Sequence, residues 1–105
     1  MRRIEFKNIR ALMSERETNR HIAMIDRNLA IFYIIIDKGE KYQFPETDKF
    51  ETIFLIKQGS GLIYSDSENA IEYKAGDIIK VNRGERKAVE AKTKTIIFEI
   101  RNLEK

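Results

Sequence analysis

Short runs of β-branched and aromatic residues recur along this chain, and most of them end at a glycine or at a turn containing Asp or Asn. Such runs are typical of strands, and turns every 8–12 residues or so, about one per strand, indicate an antiparallel sandwich or barrel. The sequence therefore predicts an all-β fold. The predicted strands cover residues 29–36, 41–44, 51–57, 61–65, 70–74, 78–81, 86–91 and 95–100.

The segment 8–20, NIRALMSERETNR, does not fit the strand pattern. Ile9, Leu12 and Met13 have helical spacing, so we expect a short N-terminal helix or a loop there. The chain has 105 residues, which is enough for one modest hydrophobic core. Because no linker, internal repeat or low-complexity stretch interrupts it, we expect residues 1–105 to form a single domain.

The chain has no cysteine and one histidine, His21. The lack of cysteine excludes disulfides, thiolate metal ligands and cysteine nucleophiles, and a cytoplasmic location fits it best. The longest apolar run, residues 29–36, is too short for a membrane-spanning helix, which needs about 20 residues, so no membrane segment is expected. Acidic residues dilute the basic N-terminal third, so nucleic-acid binding is not expected.

Two of the predicted strands, residues 29–36 and 51–57, are apolar on both faces. Residues 51–57 carry Ile53 and Leu55 on one face and Phe54 and Ile56 on the other. A strand with one buried face should alternate, so a second layer must cover the other face. We predict a homodimer as that cover, and the alternative is that the N-terminal segment folds over it. The candidate dimer contacts are Phe32, Ile34, Phe54 and Ile56.

Two glycine-spaced motifs lie within residues 39–99. The first motif reads Gly39, Pro45, Thr47, Glu51 and Gly59, and the second reads Gly76, Asn82, Gly84 and Lys87. This pattern resembles the small, RmlC-like members of the cupin family. The resemblance implies a double-stranded β-helix, which is a jelly-roll barrel.

The resemblance is closest at the turns and weakest at the metal ligands. Pro45, Thr47 and Lys87 hold the places where cupins have metal-binding histidines, and of the usual ligands only Glu51 remains. The strand between Glu51 and Gly59 is also one residue longer than the usual spacing. A transition-metal site needs several converging His, Cys or carboxylate ligands. We therefore expect no metal and no cofactor, and we interpret His21 as a surface or half-buried residue.

The resemblance implies that Glu51 and Lys87 occupy two positions whose side chains, in cupins, point at one common metal inside the barrel. We hypothesise that Lys87 pairs with Glu51 in place of a metal, because an unpaired buried carboxylate is strongly unfavourable. Whether Lys87 or Arg86 is the inward residue stays open at this point. Thr47 and Gln43 could add hydrogen bonds, and Tyr64 could line the same mouth. The candidate pocket residues are therefore Gln43, Thr47, Glu51, Tyr64 and Lys87.

The ion pair could be purely structural, in a barrel that has no ligand, and this alternative stays open beside three functions. The leading prediction is a metal-free protein that binds a small polar ligand, a sugar or a carboxylate, in a sensing or accessory role. The first alternative is a metal-independent sugar isomerase or epimerase, with Glu51 or Lys87 as acid or base. The second is a non-catalytic interaction module. Whether the chain is an enzyme stays open, and a non-enzymatic role is favoured. The aromatic residues predicted for the core are Phe44, Phe50, Phe54, Tyr64, Tyr73 and Phe98.

Overall fold

The computed structural model describes residues 1, 3, 5, 19–44, 50–65, 70–82 and 84–103. In this part of the chain nine strands form, and the predicted all-β class is confirmed. The strands are β1 (Asn19–Asp26), β2 (Leu29–Ile36), β3 (Lys41–Gln43), β4 (Thr52–Gln58), β5 (Ser60–Ser65), β6 (Ile71–Lys74), β7 (Ile78–Val81), β8 (Lys87–Ala91) and β9 (Thr95–Asn102). Within the described ranges, no helix combines the length and hydropathy that crossing a bilayer requires.

The strands form two antiparallel sheets that enclose one core. Sheet A has the order β1-β2-β9-β4-β7, and sheet B has the order β3-β8-β5-β6. Side chains alternate along each strand, so every second residue points between the sheets. Phe54 and Ile56 do so from sheet A, and Ile63, Tyr73 and Val89 do so from sheet B. The antiparallel sandwich predicted from the turn spacing is therefore observed.

The predicted core aromatics occupy three kinds of position. Phe44, Phe54 and Tyr73 are buried in the core between the sheets, as expected. Phe98 packs against a second cluster on the outer side of sheet A. Phe50 and Tyr64 are half-buried.

The dimer contacts named from the sequence point inward, and that part of the prediction was wrong. Ile34, Phe54 and Ile56 lie in the core between the sheets, and Phe32 has the same strand parity as Ile34. Because side chains alternate with a period of two, a wrong choice of parity exchanges the two faces of a strand. The homodimer itself stays a prediction, and any contact on this sheet must use the opposite face.

The outer face of sheet A carries a second, separate hydrophobic cluster. Tyr33, Ile35 and Ile96 are buried there, with Ala23 and Phe98 packed against them. Ile96 lies opposite Ile35, and Phe98 lies opposite Tyr33, across the β2–β9 ladder. This second cluster explains why β2 is apolar at nearly every position.

The end of segment 8–20, which showed no strand pattern in the sequence, forms the start of a strand. Asn19 and Arg20 are the first residues of β1, which pairs with β2 at the edge of sheet A. The sequence did not predict this strand. Residues 8–18, where a short helix or loop was expected, lie outside the described residues.

The core is apolar at one end and charged at the other. The inward positions of β9 run from Ile97 through Glu99 to Arg101. On β8 they run from Ala91 through Val89 to Lys87, so the charged positions of the two sheets coincide at one end. The charged end of the barrel is therefore the candidate functional site.

Candidate functional site

A buried carboxylate lies at the centre of the charged end. Glu99 is fully buried, and its Oε1 accepts a hydrogen bond of 3.0 Å from Nε of Arg20. Its Oε2 accepts one of 3.2 Å from an Nη of Arg101. The ammonium of Lys87 lies 4.0 Å from the same oxygen. We call these four residues, Arg20, Lys87, Glu99 and Arg101, the Glu99 cluster.

Two strands of sheet A, β1 and β9, and one strand of sheet B, β8, bring the cluster together. Glu99 lies opposite Phe32 of β2 and Phe54 of β4, whose side chains share its inward face. Arg101 is two residues further along β9 and therefore has the same parity. Arg20 lies opposite Ile34 on the edge strand, and Lys87 comes from β8 in sheet B.

Aromatic rings pack against the cations. The guanidinium carbon of Arg20 lies 4.1 Å from the ring centre of Phe32, and that of Arg101 lies 5.2 Å from it. The ammonium of Lys87 lies 4.9 Å from the ring centre of Phe44. Such contacts stabilise a partly desolvated cation by about 0.5–2 kcal/mol. They also restrict the positions of the two guanidinium groups.

The exposure of the side chains in the cluster increases from the interior towards the surface. Lys87 and Glu99 have fully buried side chains, whereas those of Arg20 and Arg101 are 13% and 12% exposed. A guanidinium presents a planar fork of N–H donors that matches a carboxylate or phosphate. The arrangement therefore places two oriented guanidinium groups between a buried carboxylate and the surface.

A divalent metal ion does not fit this set of side chains. Among the described residues no group of three or more His, Asp or Glu side chains lies close enough together to hold one. The inward charged residues at this end are three cations around one carboxylate, and they would repel a divalent cation. His21 is exposed on β1.

Lys87 has the inward position that the motif comparison suggested. Its side chain is buried, whereas Arg86 is exposed, so the structure answers the question of which residue points inward. The neighbouring inward residues of β8, Val89 and Ala91, are also buried. Lys87 therefore follows the alternation of its strand.

The hypothesised pairing of Glu51 with Lys87 was wrong. Glu51 is exposed, and its carboxylate lies 3.7 Å from the ammonium of Lys80 on the surface. The ladder between β4 and β9 shifts register between Ile56 and Gln58, which accommodates the extra residue before Gly59. Counted back from Gly59 with the usual spacing, the inward place belongs to Thr52, which is buried.

The other pocket candidates are not brought into the cluster. Gln43 and Tyr64 lie on either side of Ala88 in sheet B, where the parity is opposite to that of Lys87. Gln43 donates a hydrogen bond of 3.2 Å to the carbonyl of Lys87, and the ring of Tyr64 lies 5.0 Å from the Lys41 ammonium. Thr47 lies outside the described residues.

The sequence analysis missed Arg20, Glu99 and Arg101. Glu99 is the one charged residue in the strand TIIFEI, and Arg101 follows it at strand spacing. A lone charge in an otherwise apolar strand was a usable signal, because a buried charge needs a partner. Arg20 carried no such signal, since its segment was not recognised as a strand.

A hydroxyl pair is buried towards the opposite end of the core. The phenol of Tyr73 and the hydroxyl of Thr95 lie 2.6 Å apart, and Thr95 also donates to the carbonyl of Thr93. Burial raises the pKa of the Tyr73 phenol above its ordinary value, although the hydrogen bond with Thr95 partly lowers it. This pair therefore stays neutral near neutral pH and contributes packing to the apolar end.

Comparison with known proteins gives the fold. No family model matches the sequence, and no curated protein matches it. A conserved protein of unknown function from Streptococcus pyogenes has a similar structure, with a TM-score of 0.74 and 15% identity over 88% of this chain and 79% of that one.

Two further bacterial structures are similar to the same degree. A cupin superfamily protein from Desulfitobacterium hafniense has a TM-score of 0.74 and 19% identity, over 88% of this chain and 83% of that one. An RmlC-like cupin from Desulfovibrio desulfuricans has a TM-score of 0.74 and 13% identity, over 86% of each chain. Similarity at these identities shows the fold alone. The chain has the small cupin fold that its glycine spacing suggested.

Proposed function

We propose that this protein binds a small organic carboxylate at the Glu99 cluster, in a sensing or accessory role. The observation that carries the proposal is the pair of oriented guanidinium groups of Arg20 and Arg101 at the charged end of the barrel. Of the two ligand classes considered from the sequence, guanidinium groups favour a carboxylate over a neutral sugar.

The cluster reduces the entropic cost of binding. An arginine side chain loses considerable rotamer freedom when a ligand immobilises it. Here Glu99 and Phe32 already hold both guanidinium groups in place. A ligand carboxylate that reaches the two guanidinium groups therefore meets donors that are oriented before it arrives.

The geometry gives less support to an isomerase or epimerase. Proton transfer at a substrate needs an acid or base placed to reach it. Glu51 is exposed on the outside, and Lys87 lies behind the arginines against Glu99. An interaction module, a homodimer and a cytoplasmic location remain predictions.

Titration calorimetry with acetate, lactate and glucose tests the proposal. We expect the two acids to bind and glucose not to bind, because only a carboxylate can use the guanidinium fork. Arg101→Met should weaken acid binding about tenfold or more, and Arg101→Lys should restore only part of it, since an ammonium keeps the charge without the fork.

The matched control is Lys80→Met. It removes the same charge from an exposed side chain that pairs with Glu51, so acid binding should change by less than about twofold, as expected for a screened surface charge. The proposal fails if no carboxylate binds at millimolar concentration. It also fails if Arg101→Met and Lys80→Met weaken binding equally, because binding would then depend only on net charge.

A further inference from the structure

We propose that the ligand is a carboxylate with an apolar tail, and that the tail lies over Ile22 and Ile25 of β1. This inference rests on the proposed function, since it takes the Glu99 cluster as the site of the carboxylate. The two isoleucines are 61% and 56% exposed, and they lie on the face of sheet A that carries the cluster.

The register of the sheet places the isoleucines beside the charged residues. Ile22 lies opposite Phe32, which in turn lies opposite Glu99. Ile25 lies opposite Ala30, which in turn lies opposite Arg101. Neighbouring strands are about 4.8 Å apart, so each isoleucine is about 10 Å from the charged strand, measured across the sheet.

A bulge in β1 brings Ile25 to this face. The β1–β2 ladder shifts register between Ile22 and Met24. Arg20 and Ile22 share a face because they are two residues apart. Ile25 is an odd number of residues from Ile22 and would point to the opposite face of a regular strand. A bulge inserts one residue and redirects the side chains that follow it.

The resulting surface has a charged part at the Glu99 cluster and an apolar part along β1. Starting from Arg20 and Arg101, it continues over the half-buried ring of Phe32 to the exposed side chains of Ile22 and Ile25. A ligand with one carboxylate and an aliphatic tail is complementary to both parts. A polyhydroxylated acid would use only the charged part.

Titration calorimetry with acetate, butanoate, hexanoate and octanoate measures the effect of the tail. Complete burial of one methylene strengthens binding by up to about fourfold. We therefore expect octanoate to bind at least about tenfold more tightly than acetate, even if most of the tail stays partly exposed. Hexanamide, which has the hexanoate chain but no charge, should not bind measurably.

The double variant Ile22→Ser, Ile25→Ser should remove most of this gradient and leave the acetate affinity within about twofold, because a small acid does not reach β1. Both side chains are exposed, so the variant should fold. Ile78→Ser is the matched control, since it removes an isoleucine that is 70% exposed at the opposite edge of sheet A. It should keep the gradient.

The inference is overturned if affinity is independent of chain length, or if the double variant keeps the gradient. It is also overturned if the double variant changes only the oligomeric state in light scattering, because Ile22 and Ile25 would then contact a second copy of the chain. In each of these cases acetate still binds, and the proposed function survives. If none of the acids binds, the proposed function fails as well.

Discussion

Glu99 is the residue on which the charged end of the barrel depends. Its two carboxylate oxygens accept hydrogen bonds from different arginines, and the ammonium of Lys87 lies near one of them. All of these side chains are largely removed from water. Removing the one negative charge from a buried set of this kind leaves buried cations with a neutral partner, which is more unfavourable than losing a surface ion pair.

The variant Glu99→Gln tests this dependence. Breaking a buried ion pair by removing one partner destabilises a protein by about 3–5 kcal/mol, and we expect a loss of that size in the free energy of unfolding in urea. Glu51→Gln makes the same chemical change in an exposed pair and should cost less than about 1 kcal/mol. Equal losses for the two variants would show that Glu99 does not hold the arginines.

The individual residues differ in how far the sequence could place them. Lys87 matches a motif position, but the sequence left the inward place open between Lys87 and Arg86, and the structure gives it to Lys87, which shares a face with Val89 and Ala91. The partner of Lys87 could not be found from the motif. The extra residue between Glu51 and Gly59 left its strand parity ambiguous, and a shift of one residue moves a side chain to the opposite face. The structure puts the shift after Ile56, and Glu51 faces outward.

At the scale of the elements, the β4–β5 connection is a turn that another segment of the chain approaches closely. Gly59 has φ 97° between the two strands. A Cβ added there would overlap the carbonyl oxygen of Lys94 and lie 2.7 Å from Oγ1 of Thr95. Gly76, before β7, has a similar φ of 94° but open space around the same position.

The pair of variants Gly59→Ala and Gly76→Ala separates the two causes of strain. Gly76→Ala should cost about 1–2 kcal/mol of unfolding free energy, because an L-residue is disfavoured at positive φ. Gly59→Ala should cost about 1–3 kcal/mol more, because its Cβ also displaces the start of β9. Urea unfolding of both variants gives the difference. If the two costs were equal, the close approach of Lys94 and Thr95 to Gly59 would have no energetic effect.

The strands differ in how clearly the sequence marks them. Strands β2 to β9 overlap the eight predicted runs, because each has β-branched or aromatic residues between turn residues. The edge strand β1 was missed. Its apolar side chains at Ile22 and Ile25 are exposed, and the bulge between them interrupts the alternation that marks a strand. Without β1, Arg20 could not be placed next to Glu99.

The whole molecule combines a cupin barrel with an interior that is charged at one end. The sequence predicted that an ion pair would take the place of metal ligands, and a buried charged cluster is present. Its carboxylate, however, comes from β9, and two arginines join the lysine. The fold could be predicted because strands and turns have local signals. The cluster joins residues up to 81 positions apart, and no local signal links them.

The outer face of sheet A indicates how two molecules would meet. Near its β7 edge, Ile53 and Ile78 are exposed, and Glu51 forms its ion pair with Lys80 there. In a twofold dimer the same patch faces itself. One acidic and one basic side chain on the patch let each copy match the other without net repulsion.

Light scattering at micromolar concentration tests the predicted homodimer. We expect the mass of two chains for the wild type and of one chain for the double variant Ile53→Lys, Ile78→Lys, because four added ammonium groups would face each other across the twofold axis. Ile71→Lys places a charge on an exposed isoleucine of sheet B and should remain dimeric. A wild-type mass of one chain would refute the homodimer. A dimeric double variant would refute this face as its interface.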